Sequence, residues 1–216
     1  MRHMRSLVIL VALAGATPAL AQPKSAAPFP VVEATIPEMQ AAMKEGRVTA
    51  RELTLSHLAR IALYEDRLNA VVAINPRALE EAEERDRERA ECRVRGPLHG
   101  IPVALKDNIH TTDLPTTGGA LAFEGFHPGY DATLTRNLRE AGAIIIAKTC
   151  LTELANWVAS GMPGNYNAVA GYGMNPYDPR RDPREATADG RPALSTGGSS
   201  SGIGTAASFW AANVGT

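Results

Sequence analysis

The chain has 216 residues, 44% of them hydrophobic, which is enough for one domain with a sizeable core. A formal net charge of -1 leaves no broad electrostatic case for nucleic acid or an anionic membrane as partner. Two cysteines make no disulfide framework, and the five histidines (His3, His57, His99, His110 and His127) are scattered without metal-ligand spacing, so neither a metal nor another cofactor is expected.

The first residues read as an export leader. Met1 to Arg5 carry positive charge, an apolar core follows that is too short to span a membrane, and Ala19-Leu20-Ala21 supplies a small-x-small cleavage pattern. Residues 1–21 are therefore expected to be a signal peptide, with the mature chain starting at Gln22 in the periplasm or outside the cell and no membrane contact after cleavage. Residues 22–34 read as a flexible lead-in, and residues 35–216 as one folded domain.

Thr35-Ile36-Pro37-Glu38 is a capping box with proline at the helix start, predicting a helix to about Lys44 that stops at Gly46. Thr49-Ala50-Arg51-Glu52 repeats the device, with Leu55, Leu58, Ile61 and Ala62 on the expected apolar face. Residues 70–74 read as a short strand, and Asn75-Pro76 opens a highly charged helix through about Glu91. A buried strand is expected at 101–105. Asp131 is a candidate cap for a helix through Glu140 closed by Gly142, and residues 143–147 form an apolar strand. Strand, helix and strand at this spacing predict a βαβ unit with a parallel pair. Residues 156–191 are rich in glycine, proline, asparagine and aspartate and read as loop. Residues 203–213, rich in small side chains, read as a tightly packed helix. Cys150, just after an apolar run, reads as a small buried hydrophobe.

Two features carry chemistry. Lys106 ends the apolar run Ile101-Pro102-Val103-Ala104-Leu105, so its stem is expected to be enclosed. To act as a base near neutrality it would have to titrate roughly 3 units below its ordinary ~10.4, a fall that burial can supply. The competing reading is a strand-end lysine that reaches water or pairs with Asp107. The second feature, Thr196-Gly197-Gly198-Ser199-Ser200-Ser201-Gly202, is a loop able to present N–H groups and hydroxyls to an anion or a developing oxyanion. No Gly-Lys-Ser/Thr follows, which argues against a phosphate loop.

Taken together, the chain resembles the amidase signature family. Gly96-Pro97-Leu98-His99-Gly100-Ile101-Pro102 with Lys106-Asp107-Asn108, Ala147-Lys148-Thr149 with Glu153-Leu154-Ala155, Asn175-Pro176-Tyr177-Asp178, and Gly197-Gly198-Ser199-Ser200-Ser201-Gly202 are similar to its successive motifs. The resemblance implies an α/β fold, a mixed sheet flanked by helices with a helical N-terminal layer. It implies hydrolysis of a small-molecule or peptide amide by a Ser-cisSer-Lys triad, with Lys106 as base, Ser199 as bridging serine, and Gly197, Gly198, Ser200 and Ser201 supporting the loop. The family's nucleophile lies in a Gly-Thr-x-x-x-Gly-Ser pattern, of which Gly215-Thr216 are the first two residues. The resemblance thus places the nucleophile beyond this chain, within a domain truncated before its C-terminal part, and the 216 residues alone are expected to be inactive. The alternative is an inactive truncated remnant or a binding protein. The transamidation enzyme that amidates misacylated tRNA shares the signature in one of its components, but the export leader and the net charge argue against that role here.

Overall fold

A computed structural model describes residues 28–158, 160–196 and 202–216. The expected signal peptide and the loop residues Gly197, Gly198, Ser199, Ser200 and Ser201 lie outside the described residues.

Both capping boxes form. In α1 (Ile36–Lys44) and α2 (Ala50–Leu68), the Thr35 and Thr49 hydroxyls accept from the N–H of Glu38 and Glu52, whose carboxylates accept from the threonine N–H in return. The buried stripe of α2 differs from the expected one. It runs through Leu53, Thr54, His57 and Ile61, while Leu55 and Ala62 are exposed. α2 packs on its neighbour α3 (Ala78–Ala90) and touches the sheet, and the turned stripe brings His57 Nδ1 to 3.1 Å from Ser208 O.

The sheet has the order β1-β3-β2-β6, formed by β1 (Val71–Ile74), β2 (Pro102–Lys106), β3 (Ile144–Thr149) and β6 (Ala212–Val214). A separate two-stranded hairpin joins β4 (Tyr166–Asn167) and β5 (Gly171–Tyr172) within the expected loop region. β2 and β3 are parallel and linked through α4 (Thr133–Glu140), giving the expected βαβ unit, and β1 closes one edge antiparallel to β3. Every residue of β2 and β3 is buried, as continuous apolar runs require when both faces are covered. The result is a mixed sheet flanked by helices.

Three expectations need correction. Asp131 does not cap α4. Its Oδ1 accepts from the N–H of Thr112, which ties the loop to the helix start, and Ala132 occupies the cap position. Residues 203–213 are not one helix. Helix α5 (Gly202–Ala206) is only one turn, Ser208 takes a left-handed φ of 55°, and residues 212–214 become β6, parallel to β2. Composition favoured a helix, but the open edge of β2 offers unpaired backbone groups, and pairing them outweighs a weak local preference. The lead-in, where described, lies against the body of the protein: Val31 is buried in the core and the Glu33 N–H donates to Ser208 Oγ at 3.1 Å.

Gly142 closes α4 with φ +84°, and a β-carbon there would sit 2.8 Å from His99 Nδ1. Both the dihedral and the close approach require glycine. Cys92 is exposed and Cys150 buried, and both are free thiols. Burial pushes the Cys150 thiol upward, consistent with an inert packing role.

Candidate active site

Lys106 stands at the C-terminal end of β2 and is 1% exposed. Its ladder partner is Thr149 on β3, so the two side chains share one face of the sheet. On the other side β6 runs parallel to β2 and delivers Thr216 to the lysine: Nζ donates to Thr216 O at 3.0 Å and to Thr216 Oγ1 at 2.9 Å. Asn108 Nδ2 donates to the same hydroxyl at 3.0 Å. The Thr149 hydroxyl is buried without a hydrogen-bond partner. Burial lowers the pKa of Lys106, in the direction a base requires.

Asp107 is not the partner of Lys106. It turns to the opposite face, where Oδ1 lies 3.3 Å from Lys148 Nζ, and both side chains are fully buried. Asp107 Oδ2 accepts from the N–H of Thr117 at 3.0 Å and from its hydroxyl. Lys148 also donates to Pro115 O at 2.9 Å and Thr116 Oγ1 at 2.8 Å. The alternation of β2 and β3 explains the split. Leu105 pairs with Lys148 and Lys106 with Thr149, so the two lysines leave the sheet on opposite sides. Burial lowers the pKa of Lys148, and the charge of Asp107 opposes that shift.

The remaining titratable groups lie elsewhere. His57 and His99 are buried, His127 is exposed, and no group of histidine, cysteine or acidic residues able to hold a metal occurs among the described residues. A separate cleft of about 670 Å³ lies between the end of α2 and the β4–β5 hairpin, lined by Glu65, Asn69, Tyr166, Tyr172, Arg180 and Asp189. Within it, burial raises Glu65 to about 7. Residues 180–194, charged in sequence, reach this cleft through Arg180, Arg181 and Asp189, and pair locally as well, as in Arg184 with Asp182 and Arg191 with Asp189.

The apolar run before Lys106 foretells the enclosure of its stem, which the structure shows. Lys148 and Asn108 stand out in the sequence only as members of contiguous motifs. Lys148 directly follows the apolar run 143–147, a usable signal because a buried ammonium needs a partner.

The fold is that of an amidase-type α/β protein, and the chain belongs to the amidase family, whose match covers residues 52–216. It is 46% identical to the peptide amidase of Stenotrophomonas maltophilia, with a TM-score of 0.67 over 69% of this chain and 31% of that one. An amidase family protein of Bacillus anthracis superposes with a TM-score of 0.73 at 36% identity, over 83% of this chain and 34% of that one. Among curated relatives, a probable amidase of Arabidopsis thaliana is 37% identical over 174 residues, which is 79% of this chain and 34% of that protein. The chain therefore spans about a third of the length of these relatives.

Proposed function

We propose that this chain carries the proton-transfer residues of a serine amide hydrolase. Lys106 is the base and Ser199 the bridging serine of a Ser-cisSer-Lys triad, and the nucleophile belongs to the Gly-Ser that follows Gly215-Thr216 in the family pattern. Neutral Lys106 takes a proton through Ser199 from the nucleophile, which attacks the amide carbonyl and forms an acyl-enzyme. The same pair returns the proton to the leaving amine, and water then releases the acid. No metal or other cofactor enters this scheme.

The observation that carries this reading is the enclosure of Lys106 at the strand end, with Nζ 3.0 Å from Thr216 O and its pKa lowered by burial. The carboxylate next in sequence, Asp107, lies against Lys148 on the other face of the sheet. Similarity to a peptide amidase favours a peptide amide or related small amide as substrate. The leader pattern in residues 1–21 favours work outside the cytoplasm, and a mature N-terminus at Gln22 in the exported protein would support it.

The test is Lys106→Ala in the natural full-length protein, assayed by ammonia release from a peptide amide. The expected loss is roughly 10²–10⁴-fold in kcat/KM, the usual worth of a positioned base. Activity within threefold of the natural enzyme would remove Lys106 from the mechanism.

A further inference from the structure

We propose that Asp107 and Lys148 are positioning residues for Lys106: their buried ion pair pins the turn that follows β2 and neutralises the carboxylate next in sequence to the base. The inference rests on Lys106 being the base.

The geometry is specific. Lys148 and Asp107 are both 0% exposed and lie 3.3 Å apart on the face of the sheet opposite Lys106. Asp107 holds the start of the turn by four further links. Its N–H donates to Thr149 O at 3.1 Å, its carbonyl accepts from Gly118 N at 3.2 Å, and its Oδ2 accepts from both the N–H and the hydroxyl of Thr117. Lys148 adds Pro115 O and Thr116 Oγ1. One ion pair thus fastens residues 115–118 and the end of β2 to the C-terminal end of β3, one residue from Lys106.

Such a pair is a weak way to gain stability, because desolvating two charges offsets most of their attraction. Its position suggests a different use. A buried carboxylate beside Lys106 would favour the ammonium form, the wrong form for a base. With Lys148 against it, Asp107 presents a dipole in place of a charge. The other titratable groups bearing on this cluster are Asp113, whose charge acts on Lys148 from the loop after β2, and Glu65 of α2, which with Asp107 acts on Cys150 at the end of β3.

The charge argument predicts opposite effects from the two single substitutions. In the full-length enzyme, Lys148→Met leaves Asp107 uncompensated, so the acidic limb of kcat/KM moves to higher pH, by about one pH unit for a nearby opposite charge. Asp107→Asn leaves the Lys148 ammonium uncompensated and moves the limb to lower pH. A purely structural pair would weaken both variants and move neither limb. Acidic limbs that coincide with that of the natural enzyme in both variants overturn the charge role.

Either single variant risks misfolding, so the double variant Asp107→Asn/Lys148→Met, which removes both charges, provides the second arm. It is expected to fold, to keep KM within about twofold and to lose about tenfold or more in kcat, because a displaced base costs the chemical step and leaves ground-state binding alone. Natural kcat in the double variant overturns the positioning role. Lys106→Ala is measured alongside. If that variant stays active, the base assignment has failed; if it is inactive while the pair variants behave like the natural enzyme, only the role of the pair has failed.

Discussion

Among the described glycines, Gly204 is the one where an added β-carbon would make the closest approach. It lies in α5, and a β-carbon there would stand 2.2 Å from Cζ2 and Cη2 and 2.9 Å from Cε2 of Trp210. Carbon atoms rest about 3.5–4.0 Å apart, so the indole would have to retreat by more than 1 Å (roughly 3.5 less 2.2). It has no room to do so. Trp210 is 2% exposed, its Nε1 donates to Thr205 Oγ1 at 2.8 Å, and its ring meets Phe209 edge-on with centroids 5.9 Å apart. The following residue is fixed as well, since the Ala211 N–H donates to Pro102 O at 3.0 Å. Overpacking of this kind costs about 1–3 kcal/mol, and the better helix propensity of alanine returns about 1 kcal/mol at most. With an overlap of more than 1 Å the cost lies at the upper end of that range, so the net expectation for Gly204→Ala is about 2 kcal/mol of destabilisation, read from urea unfolding of the full-length protein. Trp210 leads into β6, which delivers Thr216 to Lys106, so kcat should fall as well. Adding Trp210→Phe removes the clashing ring atoms and should make the glycine substitution much less harmful than it is alone. Unchanged or greater stability in Gly204→Ala would refute this packing argument.

Other consequences can be checked in the same protein. His57 is buried with Nδ1 3.1 Å from Ser208 O, and burial, opposed by that hydrogen bond, lowers its pKa from 6.5 to about 4. The unfolded chain therefore takes up a proton below about pH 6.5 that the folded chain refuses until about pH 4. Stability present above pH 6.5 is lost as pH falls through that window, by about 1.4 kcal/mol per pH unit and about 2 kcal/mol between pH 7 and pH 5. His57→Asn should flatten the urea-unfolding difference between those two pH values; an equally steep loss would exclude His57 as its source. Thr49→Ala removes the hydroxyl that accepts from Glu52 N–H at 3.0 Å and should cost about 1 kcal/mol by thermal unfolding, with no change in KM. The losses expected for Lys106→Ala and for the ion-pair variants complete the set.

The elements readable in advance were those specified by neighbours a few residues away. Thr35 with Glu38 and Thr49 with Glu52 close their hydrogen bonds within three residues, so the starts of α1 and α2 follow from sequence spacing. The β2–α4–β3 unit followed from two continuous apolar runs around one helix-length segment. The resemblance carried by Lys106-Asp107-Asn108 and the glycine–serine loop led to the amidase family for the same reason: those motifs are contiguous. Tertiary structure decided whatever depends on distant partners. It turned α2 so that His57 meets Ser208, 151 positions away. It drew residues 212–214 out of an expected helix and onto the edge of β2. It set Lys148 against Asp107 and left Lys106 on the opposite face beside Thr216. Strand alternation assigns adjacent residues to opposite faces, but only the register of β2 on β3 decides which distant side chain waits on each face. The sequence thus determined the local elements and the family, while the partner of each buried charge was decided by strand pairing and packing.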